Sequence, residues 1–210
     1  MTPSRPSSPI DPEGAAAASV VVPGEPIADR PRMPAEYQIP VAVEGLLPWS
    51  HVDDRLAAAM VYWIATSGPG GRPRVRPVDG LYLAGTLYIG GSPATRWARD
   101  IAENPQIAVH LDGGTDVVIL EGRAELLPTG VVPEFAEQLA EISNRKYPQY
   151  GMTAASFGGP GPYAIRPSLV FAWTSFPTDV TRFRFPRGRR RLTANCLPFN
   201  RRPKRRATPG

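Results

Sequence analysis

Apolar and polar residues alternate along this chain in a pattern typical of strands joined by hairpins. Residues 61–66 are rich in aromatic and β-branched side chains, and the turn that follows contains three glycines and a proline. The chain then returns in a second strand that begins at Arg74. Alternation with a period of two recurs over 86–89, 107–111, 116–127, 164–174 and 181–185. These segments predict about seven strands.

Apolar residues at helical spacing predict three helices, over about 50–60, 92–104 and 131–147. The helices lie between hairpins and do not follow every strand, which argues against a doubly wound parallel sheet. We therefore predict a mostly β (α+β) fold, an antiparallel barrel with peripheral helices. Strand 164–174 is apolar on both faces, so we expect it to be central or buried at an interface.

The composition divides the chain into three parts. Ten of the 26 prolines fall in the first 48 residues, together with a run of four alanines, so we predict a disordered extension over 1–45. Residues 46–185 are long enough for one domain with a real core. Residues 186–210 form a basic tail, also predicted to be disordered, whose role the sequence leaves open.

The net charge of +5 comes from that tail. Nine basic residues lie from Arg187 onward, and without them 15 basic residues face 19 acidic ones. We expect no specific nucleic-acid partner, although the tail offers an alternative, non-specific attraction to polyanions. No apolar run is long enough to span a bilayer, and the single cysteine, Cys196, gives no disulfide framework. The expected location is the cytoplasm.

Cationic and glycine-rich residues are concentrated between Arg74 and Pro105. Arg74, Arg76 and Val78 alternate and so share one strand face. Gly90 and Gly91 end the next strand, where bare backbone lets a ligand approach. Ser92 is predicted to cap the following helix, with Pro93 in its first turn together with Thr95 and Arg96, close to free N–H groups. This arrangement predicts a phosphate pocket. The alternative is an ordinary hairpin followed by a well-capped helix.

Other chemistry has little support in the sequence. The only histidines, His51 and His110, are far apart, and no serine lies in a nucleophile motif, so neither a catalytic triad nor a zinc site is expected. Paired aspartates are better explained by helix capping and turns. What remains is anion capture beside an apolar wall, which fits a phosphorylated aromatic cofactor. The residues that could flank its ring are Val75, Val78, Tyr88, Trp97 and Trp173.

Residues 63–127 resemble the pyridoxamine 5'-phosphate oxidase-like family of split β-barrels. The resemblance lies in the order of the segments Gly71-Arg72-Pro73-Arg74-Val75-Arg76-Pro77-Val78, Leu87-Tyr88-Ile89, Gly90-Gly91-Ser92-Pro93-Ala94-Thr95-Arg96, Asn104-Pro105 and Ile107-Ala108-Val109. It implies a homodimer with FMN or the deazaflavin coenzyme F-420 at the subunit interface. It also implies that residues 74–79 line the ring and ribityl chain, and that Thr95 and Arg96 hold the phosphate.

Two positions depart from the family pattern, since Trp97 and Asp79 stand where lysines are usual. These losses argue against authentic pyridoxamine phosphate oxidation. They favour a flavin- or deazaflavin-dependent oxidoreductase that exchanges a hydride with a small organic substrate, with no assigned protein acid or base. The alternative is a non-catalytic carrier of such a cofactor. The predicted cofactor-binding residues are Arg74, Val75, Arg76, Val78, Asp79, Gly90, Gly91, Ser92, Thr95, Arg96, Trp97 and Trp173.

Overall fold

The computed structural model describes residues 21–186 and 189–191. Within them the chain forms three α-helices and eleven strands. The helices are α1 (Trp49–Ala58), α2 (Arg96–Glu103) and α3 (Pro133–Lys146). The strands are β1 (Val21–Pro23), β2 (Ile27–Asp29), β3 (Tyr62–Ser67), β4 (Pro73–Val78), β5 (Leu81–Leu83), β6 (Thr86–Ile89), β7 (Gln106–His110), β8 (Val117–Leu126), β9 (Tyr163–Trp173), β10 (Thr181–Arg184) and β11 (Arg189–Arg191).

Nine of these strands form one antiparallel sheet in the order β2-β10-β9-β8-β7-β3-β4, to which β6 and its hairpin partner β5 are joined through β9. The path starts at β2 and stops at β4 without closing into a ring. The predicted fold class, an antiparallel split β-barrel with peripheral helices, is confirmed.

The apolar residues form two clusters. One fills the barrel interior, where Val52 and Leu56 of α1 and Ile101 of α2 pack against inward residues of the sheet. The second lies between α3 and the β5–β6 hairpin, with Phe135 and Leu139 at its centre. In the described part of the chain, no helix is long and apolar enough to cross a membrane.

Strand β5 has no counterpart in the sequence prediction. It is only three residues long, and it turns into β6 through Ala84 and Gly85, which both have positive φ. Two successive left-handed residues match the tight turn that hairpins prefer. Such a short strand has too few residues to display a period of two, which is why the sequence did not reveal it.

The chain is ordered earlier than the predicted boundary at residue 45. Strand β2 pairs with β10, and the Asp29 carboxylate accepts hydrogen bonds from Arg182 (2.7 Å) and Arg184 (3.0 Å). The hydrogen bond from Arg182 lowers the pKa of Asp29, because it favours the ionised carboxylate. Arg30 donates to the carbonyl groups of Ala42, Glu44 and Val180, which ties the following segment to the barrel. Composition does not predict these polar contacts, because they join distant parts of the chain.

The other predicted boundary, at residue 186, also differs from the structure. Strands β1 and β11 pair antiparallel in a separate two-stranded sheet, so a part of each predicted extension has regular structure. Residues 1–20, 187–188 and 192–210, including Cys196, lie outside the described residues, and the prediction of disorder there stays a prediction.

Candidate functional site

Two of the predicted phosphate-binding arginines meet at one buried carboxylate. Nη1 of Arg74, on β4, lies 2.9 Å from Oδ2 of Asp100, and Nε of Arg96 lies 3.2 Å from Oδ1 of the same side chain. Asp100 is only 1% exposed, and it also accepts a hydrogen bond from Thr66 at 3.1 Å. Arg96 is about half exposed. The strand and the helix thus bring their cations to the same corner of the barrel.

Space for this ion pair depends on Gly68, in the turn between β3 and β4. A methyl group at this position would lie 2.4 Å from Oδ1 of Asp100 and 2.9 Å from Nη1 of Arg74. The absence of a side chain at residue 68 therefore allows the arginine to reach the carboxylate.

Arg76 shares the inward face of β4 with Arg74, as predicted. The register places Arg74 opposite Thr66 and Arg76 opposite Ile64, both of them inward residues of β3. The Arg76 side chain is exposed, and its Nη1 donates to the carbonyl of Val75. Arg74 and Arg96 thus face the single carboxylate of Asp100, and Arg76 adds a further guanidinium group on the same face of β4.

The start of α2 differs from the prediction. Ser92 does not cap the helix: the cap is Thr95, whose Oγ1 accepts from the amide of Ala98, and the helix begins at Arg96. Ser92 instead forms a turn in which its carbonyl accepts from the amide of Thr95 at 2.9 Å and its Oγ from that of Ala94 at 3.2 Å. Ser92 and Thr95 remain exposed or half-exposed at the helix entrance.

Trp97 connects this helix to the glycine pair that ends β6. A methyl group on Gly91 would lie 2.5 Å from the Trp97 ring, whereas one on Gly90 would meet no atom within 4 Å. Trp97 also packs edge-on against Tyr163 at the beginning of β9. The space beside Gly91 is thus filled by the Trp97 ring, whereas the space beside Gly90 is open.

A cavity of about 490 Å³ opens beside Gly90. Its walls are the end of β4, strand β6, the end of α3 and the loop before β9. The lining residues are Val78, Asp79, Gly80, Leu81, Tyr88, Gly90, Gly91, Ser143, Tyr147, Tyr150, Met152, Ser156, Phe157, Pro160, Gly161 and Pro162. Four predicted site residues, namely Val78, Asp79, Gly90 and Gly91, therefore line a single cavity.

A hydrogen-bond network fixes the wall of the cavity at Gly80. Nζ of Lys146 donates to the Gly80 carbonyl and to the Tyr62 hydroxyl, both at 3.1 Å. The Tyr147 hydroxyl accepts from the Gly80 amide at 3.2 Å and donates to the Met60 carbonyl at 2.8 Å. Burial lowers the pKa of Lys146 to about 8, while the charge of Asp79 acts in the opposite direction.

The lowered pKa of Lys146 predicts a specific dependence of stability on pH. The ordinary lysine pKa is 10.5, so between pH 8 and 10 the unfolded chain binds more protons than the folded one, and stability rises with pH. We expect this rise to be about 1 kcal/mol, since a half-exposed ammonium keeps part of its hydration. Urea unfolding across this pH range measures it. Lys146→Met should abolish the rise and the exposed control Arg145→Gln should keep it; a Lys146→Met profile parallel to that of the parent protein would contradict the assignment.

Two predicted site residues lie away from the others within one chain. Val75 points to the outer face of β4 and is 44% exposed. Trp173 is at the opposite end of β9 from Tyr163, roughly 30 Å away along the strand, and it packs against Phe176. Both were proposed as walls for a planar ring, and the structure does not bring them to the cavity of the same chain.

Asp100 and the residues at the end of α3 were not predicted from the sequence. No role was assigned to Asp100, although its position four residues after Arg96 indicates an ion pair. Tyr147 directly precedes the proline that ends α3, and nothing in its local sequence shows that it reaches β4 and β5.

Comparison with solved structures gives similar folds at low identity. One structure, 15% identical, has a TM-score of 0.50 and covers 64% of this chain and 91% of its own. An F420 reductase is 18% identical with a TM-score of 0.43, over 61% of this chain and 98% of that chain. An FAD-binding protein from Mesorhizobium loti is 20% identical with a TM-score of 0.47, over 65% and 95%. No curated protein matches the sequence.

The family comparison is more specific. The model described as pyridoxamine 5'-phosphate oxidase matches residues 49–171, which is more than half of the 210 residues. The match runs from the first residue of α1 into β9 and includes the Arg74–Asp100–Arg96 corner and much of the cavity wall. This chain belongs to the pyridoxamine 5'-phosphate oxidase family.

Proposed function

We propose that the protein is an oxidoreductase that binds FMN or the deazaflavin coenzyme F-420 and exchanges a hydride with a small organic substrate. The observation that carries the proposal is the meeting of Arg74 and Arg96 at Asp100, in the same domain as a cavity of about 490 Å³. Cations at one place and an open cavity in the same domain suit a cofactor with a phosphate at one end and a flat ring at the other.

The arginine corner fits a phosphate. A guanidinium group has five N–H donors, and the contacts with Asp100 use Nη1 of Arg74 and Nε of Arg96, so donors remain on both groups. Asp100 holds the two side chains from the buried side, while Arg96 and the neighbouring Arg76 are exposed to an incoming anion. Charge-assisted bonds from a guanidinium to a phosphate are among the stronger hydrogen bonds in proteins.

The end of β4 and the glycine pair would hold the ring. Val78 and Asp79 line the cavity, and the open space beside Gly90 admits a flat group close to the backbone. When bound, the cofactor supplies the hydride chemistry. The chain itself binds the phosphate, orients the ring and shields it from water with Tyr88 and Phe157, which are both buried.

We also propose that two copies of the chain form a homodimer through the outer face of the sheet. Across neighbouring strands, Val75 pairs with Ala65, Ala65 with Ala108, and Ile119 with Phe171. All five side chains are half-buried or exposed. Glu121 is paired with Ala108 and His110 with Ile119, so these apolar side chains form two patches on the face. Exposed apolar patches favour burial against a second surface. A partner subunit would also bring a second Val75 and Trp173 to the interface between the two chains. The family resemblance implies that the cofactor binds at this interface.

Titration of the purified full-length protein with FMN and with F-420 tests the proposal. We expect saturable binding of at least one of them, measured by the change in absorbance. Light scattering of the same protein should show a dimer. Reduction or oxidation of the bound cofactor by small organic substrates then separates an enzyme from a carrier, which would bind without turnover. Absence of saturable binding of both cofactors would refute the proposal.

A further inference from the structure

The cavity beside Gly90 has an unusual charge for a site that would adjoin a phosphorylated cofactor. Of its sixteen lining residues, Asp79 is the one with a charged side chain, and the others are apolar, aromatic, glycine or hydroxyl-bearing. We propose that the side of this cavity at Asp79 and Tyr150 binds an organic cation beside the cofactor ring, a molecule with an amine or ammonium group on a small apolar body. The inference rests on the proposed function and adds the substrate class.

Asp79 is available to such a ligand. Its Oδ2 accepts a hydrogen bond of 2.5 Å from the Tyr150 hydroxyl, which orients the carboxylate at the edge of the cavity. An ionised carboxylate has four acceptor sites on two oxygens, so one bond from a neutral phenol leaves most of its capacity and all of its charge. An ammonium group that donates to Asp79 would form a charge-assisted bond.

The nearest lysine is held by other groups. Both hydrogen bonds of Lys146 go to uncharged oxygens, on Tyr62 and Gly80, and its Nζ lies 5.1 Å from the centre of the Tyr62 ring and 5.5 Å from that of Tyr147. With a pKa of about 8, Lys146 stays mostly protonated at pH 7, and its charge offsets part of the charge of Asp79. Lys146 does not itself line the cavity, so Asp79 is the charged group that a ligand in the cavity can contact.

Aromatic rings provide the rest of the cation site. The rings of Tyr147 and Tyr150 both line the cavity, with centres 5.9 Å apart and planes inclined by 43°. Tyr150 is 53% exposed and stands at the mouth, whereas Phe157 is buried deeper. The negative faces of aromatic rings attract ammonium groups, most strongly where water is displaced. A phosphate or carboxylate in the same place would meet the like charge of Asp79.

Three probes of matched shape test the inference: benzylammonium, benzyl alcohol and benzyl phosphate, titrated calorimetrically at pH 7 into the full-length protein with and without bound cofactor. We expect benzylammonium to bind at least tenfold tighter than benzyl alcohol, and benzyl phosphate to bind weakest. Asp79→Asn should remove the preference by weakening benzylammonium about tenfold and leaving the alcohol unchanged. Asp79→Lys should reverse the order, and Asp54→Asn, on the exposed side of α1, should change nothing.

Each outcome decides one question. Equal binding of benzylammonium and benzyl alcohol, or a preference that survives in both Asp79 variants, would overturn the inference. Cofactor binding without a cation preference would leave the proposed function in place and refute only the substrate class. A cation preference lost in Asp79→Asn, in a protein that binds neither FMN nor F-420, would support the cavity assignment and refute the proposed oxidoreductase.

Discussion

Replacing Asp100 with asparagine should lower the free energy of unfolding by about 2–3 kcal/mol. The carboxylate is 1% exposed and contacts Arg74, Arg96 and Thr66. Asparagine keeps the volume but removes the negative charge, which leaves two guanidinium groups facing each other without an anion between them. The cost falls below that of a fully buried pair because Arg96 is half exposed and keeps part of its hydration.

Thermal and urea unfolding of the two proteins measure this effect, and the expected decrease in Tm is about 5–10 °C for a chain of this size. Glu103→Gln is the matched control, since Glu103 is exposed in the last turn of the same helix and its loss should change stability by less than about 0.5 kcal/mol. If Asp100→Asn were as stable as Glu103→Gln, the buried carboxylate would not be what holds the corner together.

Arg96→Ala should weaken FMN or F-420 binding by about 2 kcal/mol, or roughly 30-fold, through the loss of charge-assisted bonds to phosphate. Arg96 is the more exposed of the two arginines at Asp100, so its removal disturbs the barrel interior less than the removal of Arg74 would. In the variant, Asp100 keeps its hydrogen bonds from Arg74 and Thr66.

Riboflavin provides a sharp control because it has the ring and ribityl chain of FMN but no phosphate. Arg96→Ala should leave riboflavin affinity almost unchanged, and Arg145→Ala, an equal change of charge on the exposed face of α3, should leave FMN affinity unchanged. Similar losses for FMN and riboflavin would show that Arg96 acts on the ring or on the fold and not on the phosphate.

The central strands of the barrel could be predicted from the sequence almost to the residue. The segments predicted at 86–89 and 181–185 correspond to Thr86–Ile89 and Thr181–Arg184, and those at 116–127 and 164–174 are each within one residue of the observed strands. Some of these strands have one face in the barrel and one face outside it. Others are long apolar runs between turns rich in glycine and proline. The spacing of apolar residues and the glycine and proline residues of turns are local features of the sequence, so they predict these strands directly.

The features that the sequence did not reveal depend on contacts between distant residues. Ser92 and Thr95 are both residue types that cap helices, and the cap at Thr95 places Trp97 over Gly91 and Asp100 against Arg74. Strand β2 is a three-residue segment in a proline-rich region, held by the bonds from Arg182 and Arg184 to Asp29. In both places, tertiary contacts decide between local alternatives of similar energy.

Strand β9 is bonded along one edge to β8 over its whole length, and along the other to β6 near its start and β10 near its end. A strand that is laddered on both sides resists hinge bending, because any bend must break hydrogen bonds in two neighbours at once. The cavity end of the barrel and the end that carries Trp173 are therefore mechanically coupled. Any adjustment of the cavity to a ligand is then expected in the segment at 148–162, whose short helical turns form one wall of the cavity and lie outside the sheet.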